Sequence, residues 1–173
     1  MPYRPIQEEA FDTKLAKECA QAFASSTGIG ATVSLADGAI VAEFGSGCAS
    51  CPVCDLAGKP KSLCLQSHIY GMKEAERFGG KYIYFCPMGL ACFVSPIVGR
   101  EISEAKVTAG PFLMVEIPDY VNYELASQYK LETRQIKAIS KHLKNLPYIS
   151  PEKVNDLSTL LFMSIGFMNN VWA

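Results

Sequence analysis

The segment GSGCASCPVCDLAGKPKSLC, residues 45–64, constrains the fold more than any other part of this chain. It contains three cysteines in a C-x2-C-x2-C run and a fourth after nine more residues, namely Cys48, Cys51, Cys54 and Cys64. A glycine-rich loop of this kind has little apolar surface with which to order itself. The thiols are therefore expected to order it, as a metal cage, a redox pair or a disulfide staple.

The composition predicts a single globular domain, 1–173, that acts in the cytoplasm. The chain is 49% hydrophobic and 19% charged with a net charge of -1, so it has neither a basic surface for nucleic acid nor an acidic tail. Its start lacks the order of a signal peptide, and no stretch approaches the roughly 18 apolar residues of a membrane span. A reducing compartment and an odd count of seven cysteines disfavour the staple, which leaves metal binding or redox activity.

The order of predicted elements favours an α+β fold with a central antiparallel sheet flanked by N- and C-terminal helices. A helix over 8–26 carries one apolar stripe, and a second helix is predicted over 62–78. ATVSL and AIVAEF flank the turn Asp37-Gly38, which predicts a β-hairpin. KYIYF, LACFVSPIV and AKVTAGPFLMVEI bring the sheet to about five strands, and Pro111 marks an edge strand or a bulge.

Three further helices are predicted after Pro118, in DYVNYELASQY, in ETRQIKAISKHLKNL and from Ser150-Pro151 onward. The last helix carries a heptad-like apolar seam. This seam is interpreted with equal weight as burial against the protein's own sheet or as a homodimer contact. Its residues are Val154, Leu157, Leu161, Ser164, Met168 and Val171.

The middle of the chain resembles the PocR sensory domain, a variant of the PAS-type fold found in bacterial regulators. The resemblance lies in STGIGATVSLADGAIV, in Cys54 and Cys64, in YIYFCPMGLACFVSPI and in VTAGPFLM, and it covers about 10–115. A C-terminal helical extension, 118–173, then follows. Where the family usually has histidine after the third cysteine, this chain has Pro87, and it carries the additional Cys48 and Cys51.

The resemblance implies a PAS-like sheet and a sensor of a small-molecule ligand, such as a diol or another small hydrocarbon derivative. Domains of this kind pass their signal to a fused histidine kinase or DNA-binding module. The chain shows neither a kinase motif nor a helix-turn-helix pattern, so the output module is expected outside it. The sequence favours a binding module over an enzyme, because the two histidines come without a nucleophile elbow, P-loop or dinucleotide fingerprint.

The predicted metal ligands combine three positions shared with the family, Cys54, Cys64 and Cys86, with Cys51 as the fourth and Cys48 in reserve. Soft thiolates suit either Zn²⁺ or an iron–sulfur cluster, including the 4Fe–4S type, and the all-thiolate set favours the cluster. His68 follows Cys64 by four residues and allows a mixed site, although an ordinary half-buried histidine is the favoured interpretation. Cys92 is interpreted as a core residue.

For the ligand pocket, the central strands offer Tyr84, Phe93, Thr108 and Phe112, with Glu43 as a further polar candidate. Alternation along the strand predicts that Tyr82 and Tyr84 share one face of the sheet. Two alternatives to a metal-containing sensor stay open. One is a small thiol-dependent redox protein, and the other is an interaction module held together by zinc.

Overall fold

The structure is a computed structural model that describes residues 13–98 and 103–170. Its helices are α1 (Thr13–Thr27), α2 (Val53–Leu56), α3 (Lys61–Arg77), α4 (Ile117–Tyr120), which continues as a π-helical segment (Val121–Gln128), α5 (Thr133–Leu143) and α6 (Pro151–Asn170). Its strands are β1 (Ala31–Leu35), β2 (Ile40–Phe44), β3 (Tyr82–Phe85), β4 (Ala91–Val98) and β5 (Ser103–Phe112). None of the helices within these ranges is both long and apolar enough to cross a membrane.

The five strands form one antiparallel sheet in the order β2-β1-β5-β4-β3. This confirms the predicted α+β class with its PAS-like sheet. The hairpin at Asp37-Gly38 is also confirmed, because β1 and β2 pair directly and Gly38 has a φ of 94°. The first predicted helix is seen from Thr13 onward, while its residues 8–12 lie outside the described ranges.

Pro111 lies in β5, at the centre of the sheet, so the prediction of an edge strand is wrong and the prediction of a bulge is confirmed. Ala91 pairs with Phe112 and Phe93 with Ala109, so two residues of β5 oppose one residue of β4. A proline has no N–H to donate to a strand ladder, and a bulge removes the need for one.

The two faces of the sheet differ in composition because successive side chains point in opposite directions. One face packs against α1 and α6, and apart from Ser95 its buried residues are apolar; they include Ala31, Val33, Phe93, Ile97, Ala105, Val107 and Ala109. The opposite face turns towards α3. It carries buried Thr32, Ser34, Tyr84, Cys92, Lys106 and Thr108. The rings of Tyr82 and Tyr84 stack on this second face with centroids 6.1 Å apart, as alternation predicts.

The seam of α6 faces the protein's own core. Val154 is 1% exposed and Leu161 is 0% exposed, and both belong to the cluster that includes the apolar face of the sheet. Leu157 packs against the same cluster, whereas Ser164 is exposed. The side chain of Met168 and all of Val171 lie outside the described parts. For Val154 and Leu161, burial against the sheet is therefore the interpretation that holds, and neither is free for a dimer contact.

Candidate functional site

The loop that follows β2 is anchored to the sheet by the carboxylate of Glu43. This carboxylate accepts hydrogen bonds from the N–H of Ala49 at 2.7 Å and from the hydroxyls of Thr32 and Ser50. A Cβ atom at Gly47 would lie 2.7 Å from the Thr32 hydroxyl oxygen, so only glycine allows this approach. The anchoring brings the next residue, Cys48, over the polar face of the sheet.

A second anchor comes from α3, where the Nζ of Lys61 donates to the carbonyls of Cys48 at 3.2 Å and Cys51 at 3.1 Å. The loop then closes through the short helix α2, which the sequence did not predict. One region is thereby reached by side chains from four elements: α2, the first turns of α3, the turn after β3, and β4.

Six cysteines line one small cavity of about 10 Å³ in that region, together with His68. They include the four predicted ligands, Cys51, Cys54, Cys64 and Cys86, the reserve Cys48, and in addition Cys92. All seven cysteines of the chain are free, and Cys19 lies apart on α1, against the apolar core. Strand alternation offered a signal for Cys92, because this residue pairs with Tyr84 and so shares its face.

The tightest group within this set is Cys48, His68 and Cys92, whose ligand atoms all lie within 4.8 Å of one another. The sulfur atoms of Cys48 and Cys92 are 3.6 Å apart. The Nε2 of His68 lies 3.3 Å from the Cys64 sulfur, and its Nδ1 lies 2.5 Å from the Tyr84 hydroxyl. The imidazole is thus held between a thiol and a phenol.

Close packing of α3 on β3 makes the contact between His68 and Tyr84 possible. A Cβ atom at Gly71 would lie 2.7 Å from the Tyr84 ring, one turn along the helix from His68. Because Gly71 has no side chain, the ring can lie directly against the helix backbone.

Cys48 and His68 form a charged pair. A hydrogen bond with Cys92 and the positive charge of His68 lower the pKa of Cys48 to about 6, although burial opposes this. Burial disfavours the imidazolium, but the Cys48 thiolate outweighs it and raises the pKa of His68 to about 9. In the absence of a metal, neutral pH therefore favours a thiolate beside an imidazolium.

Four further thiols of the cavity, Cys51, Cys54, Cys86 and Cys92, are held protonated. Burial raises the pKa of Cys51 to about 11 and that of Cys86 to about 12, and it also raises the pKa of Cys54. The hydrogen bond with Cys48, together with burial, raises the pKa of Cys92 well above its usual range. These thiols would have to lose protons in order to bind a metal.

The donor set fits a soft metal, since thiolate and imidazole are preferred ligands of zinc and iron. Two ligands of one Zn²⁺ ion lie at most about 4.6 Å apart, given Zn–S bonds of about 2.3 Å. The group of Cys48, His68 and Cys92 is close to that limit. Within the described residues, Cys51, Cys54, Cys64 and Cys86 do not form such a tight group. Thiolates spaced more widely suit a cluster, in which each thiolate binds a different iron.

A second, larger cavity of about 190 Å³ adjoins the cysteine site between the polar face of the sheet and α3. Four residues line both cavities: Cys48, Lys61, Cys64 and His68. From the sheet, Thr32, Ser34, Lys106 and Thr108 contribute their side chains to the larger cavity. Its remaining walls include Ile40 and Leu65, which are 54% and 42% exposed and mark the opening to solvent.

Lys106 is the most unusual residue of this cavity. It lies on the central strand β5, paired with Ser34 on one side and Pro96 on the other, and is only 2% exposed. Its Nζ has no hydrogen-bond partner among the described residues. Burial lowers the pKa of Lys106, while the negative charges of Asp37 and Cys48 act in the opposite direction.

The residues predicted for ligand binding fall in different places. Thr108 lines the larger cavity. Tyr84 does not line it, but its hydroxyl contacts His68, which does. Phe93 and Phe112 instead belong to the apolar face, where Phe93 contacts Phe23 and Phe112 with centroids 5.9 and 5.6 Å apart. The structure thus places neither ring at the larger cavity. Phe93 lies on the opposite side of β4 from Cys92, and the bulge in β5 turns Phe112 to the apolar face, although it is four residues from Thr108 on the same strand. Glu43 anchors the loop and does not line the cavity.

The C-terminal helices hold the turn that carries Cys86. The hydroxyl of Tyr120 donates to the carbonyl of Met88 at 2.7 Å, and that of Tyr129 donates to the carbonyl of Pro87 at 2.5 Å. From α5, the Nε2 of Gln135 donates to the carbonyl of Leu56 at 3.3 Å. These helices are thus attached directly to the cysteine site.

A sheet with one buried polar face beside a cavity that opens to solvent has the architecture of a ligand-binding domain. The profile described as the sensory domain found in PocR matches residues 9–170. Since this match takes in nearly the whole chain, the protein belongs to the family of PocR sensory domains. The resemblance predicted from the sequence is thereby confirmed, and the match also takes in the C-terminal helices.

Among solved structures, the crystal structure of the GAF domain/HD domain protein from Geobacter sulfurreducens is similar to this chain. The TM-score is 0.44 and the sequence identity is 12%, over 94% of this chain and 95% of that chain. No curated protein matches the chain.

Proposed function

We propose that this protein is a non-enzymatic, cytoplasmic sensory domain that binds a small molecule beside a cysteine-bound metal centre. One observation carries the proposal. The cysteine site and the larger cavity are contiguous, and they share Cys48, Lys61, Cys64 and His68 as lining residues. A ligand in the larger cavity would therefore contact the side chains that border the metal centre.

Two loadings of the centre are supported by different observations. The predicted set of Cys51, Cys54, Cys64 and Cys86 would hold an iron–sulfur cluster, which accommodates widely spaced thiolates. Cys48, His68 and Cys92, with Cys64 near the imidazole, would hold a single Zn²⁺. The cavity of about 10 Å³ has the size of one water molecule, which favours the single ion. When bound, a cluster would supply redox sensitivity, whereas zinc would order the loop.

The test is the metal content and the visible spectrum of protein purified without oxygen, with three cysteine variants compared. A cluster predicts iron, sulfide and a broad absorbance that Cys86→Ser abolishes and Cys92→Ser retains. A single zinc ion predicts a colourless protein whose zinc is lost in Cys92→Ser. Cys19→Ser is the matched control, since Cys19 is a half-buried cysteine outside the site. It should keep the full content in either case.

Absence of any metal in the anaerobic protein would contradict the metal centre. Metal that is present and insensitive to both site variants would equally contradict these ligand assignments. Bound zinc in a protein that takes up no small molecule would favour the zinc-held interaction module instead.

A small thiol-dependent redox protein is the second candidate, and the contact between Cys48 and Cys92 favours it. Their sulfur atoms are 3.6 Å apart, and Cys48 has a lowered pKa, which makes it the thiolate of the pair. Mass spectrometry after mild oxidation would reveal a Cys48–Cys92 disulfide. An activity assay would show turnover with a thiol substrate. A metal-loaded site would block both reactions.

For the output, we propose that the C-terminal helices transmit the signal to a kinase or DNA-binding module outside this chain, within a homodimer. The hydrogen bonds of Tyr120, Tyr129 and Gln135 connect those helices to the cysteine site. Leu160 and Met163 on α6 are 56% and 64% exposed and are the proposed dimer contact. Sedimentation of wild type and Leu160→Glu tests this, and a wild type that stays monomeric at all concentrations would rule it out.

A further inference from the structure

We infer that the larger cavity takes a small carboxylate, rather than the neutral diol that the family resemblance suggests. The inference rests on the proposed function of this cavity as the ligand site. It concerns the charge of the ligand, which the side chains of the cavity determine.

The first argument is the unpaired ammonium group of Lys106. Transferring such a group out of water without a partner is costly, and buried charges are normally paired. Lys106 nevertheless lies on the central strand with 2% exposure and no hydrogen-bond partner for its Nζ among the described residues. On the same strand, the positions that face the other core are Ala105, Val107 and Ala109. An anionic ligand would supply the missing partner.

The second argument is the distribution of charge around the cavity. The described residues that line it include Lys61 and Lys106 but neither aspartate nor glutamate, and the opposite charges of His68 and Cys48 offset each other. The two nearby carboxylates are engaged elsewhere: Asp37 accepts from the N–H of Ala39 in the turn, and Glu43 anchors the loop. Asp37 still attracts Lys106 at a distance, yet it makes no hydrogen bond with the Nζ.

The size and polarity of the remaining walls define the rest of the ligand. A volume of about 190 Å³ holds several water molecules, since one water needs at least about 10–15 Å³ by the same measure, and this size suits a short-chain molecule. Ser34 lies opposite Lys106 on the neighbouring strand β1, and Thr108 lies two residues from Lys106 on β5. Their hydroxyls line the cavity and offer partners for carboxylate or hydroxyl oxygens. Ile40 and Leu65 at the opening provide apolar contact for an alkyl group. This combination favours a short monocarboxylate over phosphate.

The test compares lactate with propane-1,2-diol, which differ in a carboxylate against a hydroxymethyl group. Titration calorimetry on the full chain, with acetate, propionate, butyrate and inorganic phosphate as further probes, gives the affinities. We expect at least one carboxylate to bind, and lactate to bind at least about tenfold more tightly than the diol, because a hydrogen bond to a charged group is worth about that factor. Lys106→Met should weaken carboxylate binding by at least about the same factor.

Lys59→Met is the matched control, because Lys59 is exposed in the loop before α3 and should leave binding unchanged. Lys106→Gln provides a second variant if Lys106→Met does not fold. Diol binding equal to that of lactate, or carboxylate binding that survives both Lys106 variants, would overturn the inference while the proposed ligand function stands. Tightest binding of phosphate would overturn it in the same way. Failure of every probe to bind a folded, metal-loaded protein would remove both the carboxylate and the proposed small-molecule site.

Discussion

The two faces of the sheet are formed by the same strands but differ in polarity. The face towards α1 and α6 is built mainly from alanine, valine, isoleucine and phenylalanine, with Ser95 as a buried polar residue. The face towards α3 carries Thr32, Ser34, Tyr84, Lys106 and Thr108, equally buried but polar. The difference teaches that burial by itself does not identify the stabilising core, since the second face buries groups whose desolvation opposes folding.

The largest effect is expected on the apolar face. Phe93→Ala removes a fully buried ring that contacts Phe23 and Phe112. Substitutions of this kind cost about 3–5 kcal/mol, so the free energy of unfolding in urea should fall by that amount. The metal content per folded molecule should stay unchanged, since this face is opposite to the six cysteines of the cavity. A loss below about 1 kcal/mol would show that the comparison of the faces is mistaken.

A dependence of metal affinity on pH is expected on the polar face. In the zinc set, the hydrogen bond with Cys48 and burial raise the pKa of Cys92 well above its usual range, and the Cys48 thiolate raises the pKa of His68 to about 9. In the set of Cys51, Cys54, Cys64 and Cys86, burial raises the pKa of Cys51 to about 11 and that of Cys86 to about 12. Whichever set binds Zn²⁺ must release these protons, so the affinity should increase with pH by about tenfold per unit for each such group, up to the region of its pKa. Cys48, with a pKa of about 6, adds to the slope only below about that pH.

Competition with a chelator at several pH values measures this slope. Loss of one ligand with a raised pKa, in Cys86→Ser or in Cys92→Ser, should reduce the slope by about one unit and so identify the ligand set. Cys19→Ser should retain the wild-type slope. An affinity that does not change with pH would contradict the assignment of protonated thiols as ligands.

A substitution of Lys106 is expected to increase the free energy of unfolding, unlike the substitution of Phe93. In the absence of a ligand, Lys106→Met replaces an unpaired buried ammonium by an apolar chain of similar length, which should stabilise the protein by about 1–3 kcal/mol. Lys59→Met, at an exposed position, should change stability by less than about 0.5 kcal/mol. Destabilisation by Lys106→Met in thermal unfolding would show that the ammonium has a structural partner and that the polar face contributes to stability after all.

The smallest net change in the free energy of unfolding is expected where the polar face packs against α3. In Gly71→Ala the new Cβ would lie 2.7 Å from the Tyr84 ring, and overpacking of this kind costs about 1–3 kcal/mol. Better helix propensity returns about 1 kcal/mol of that cost. Gly166→Ala, on α6, has no atom within 4 Å of its added Cβ and should stabilise by up to about 1 kcal/mol. Equal effects of the two substitutions in urea unfolding would argue against the packing of Tyr84 on α3.

Much of the fold could be predicted because its signals are local. The turn at Asp37-Gly38, the apolar stripe of α1 and the alternation of Tyr82 and Tyr84 each depend on a few neighbouring residues. The short helix α2 was missed, since four residues give no periodicity. For Pro111 the sequence left an edge strand and a bulge as alternatives. The order of the strands decides between them, and this order depends on pairing between distant segments of the chain.

The candidate site divides in the same way. The sequence by itself determined that thiols are concentrated in 45–64 and that Cys54, Cys64 and Cys86 end or begin elements of the fold. Only the tertiary structure brought Cys92 and His68 into that site and removed Phe93 from the pocket. Alternation tells which side chains share a face, but not which helix covers that face. The choice is made by the packing of α1 and α6 on one side and α3 on the other, which no local pattern encodes.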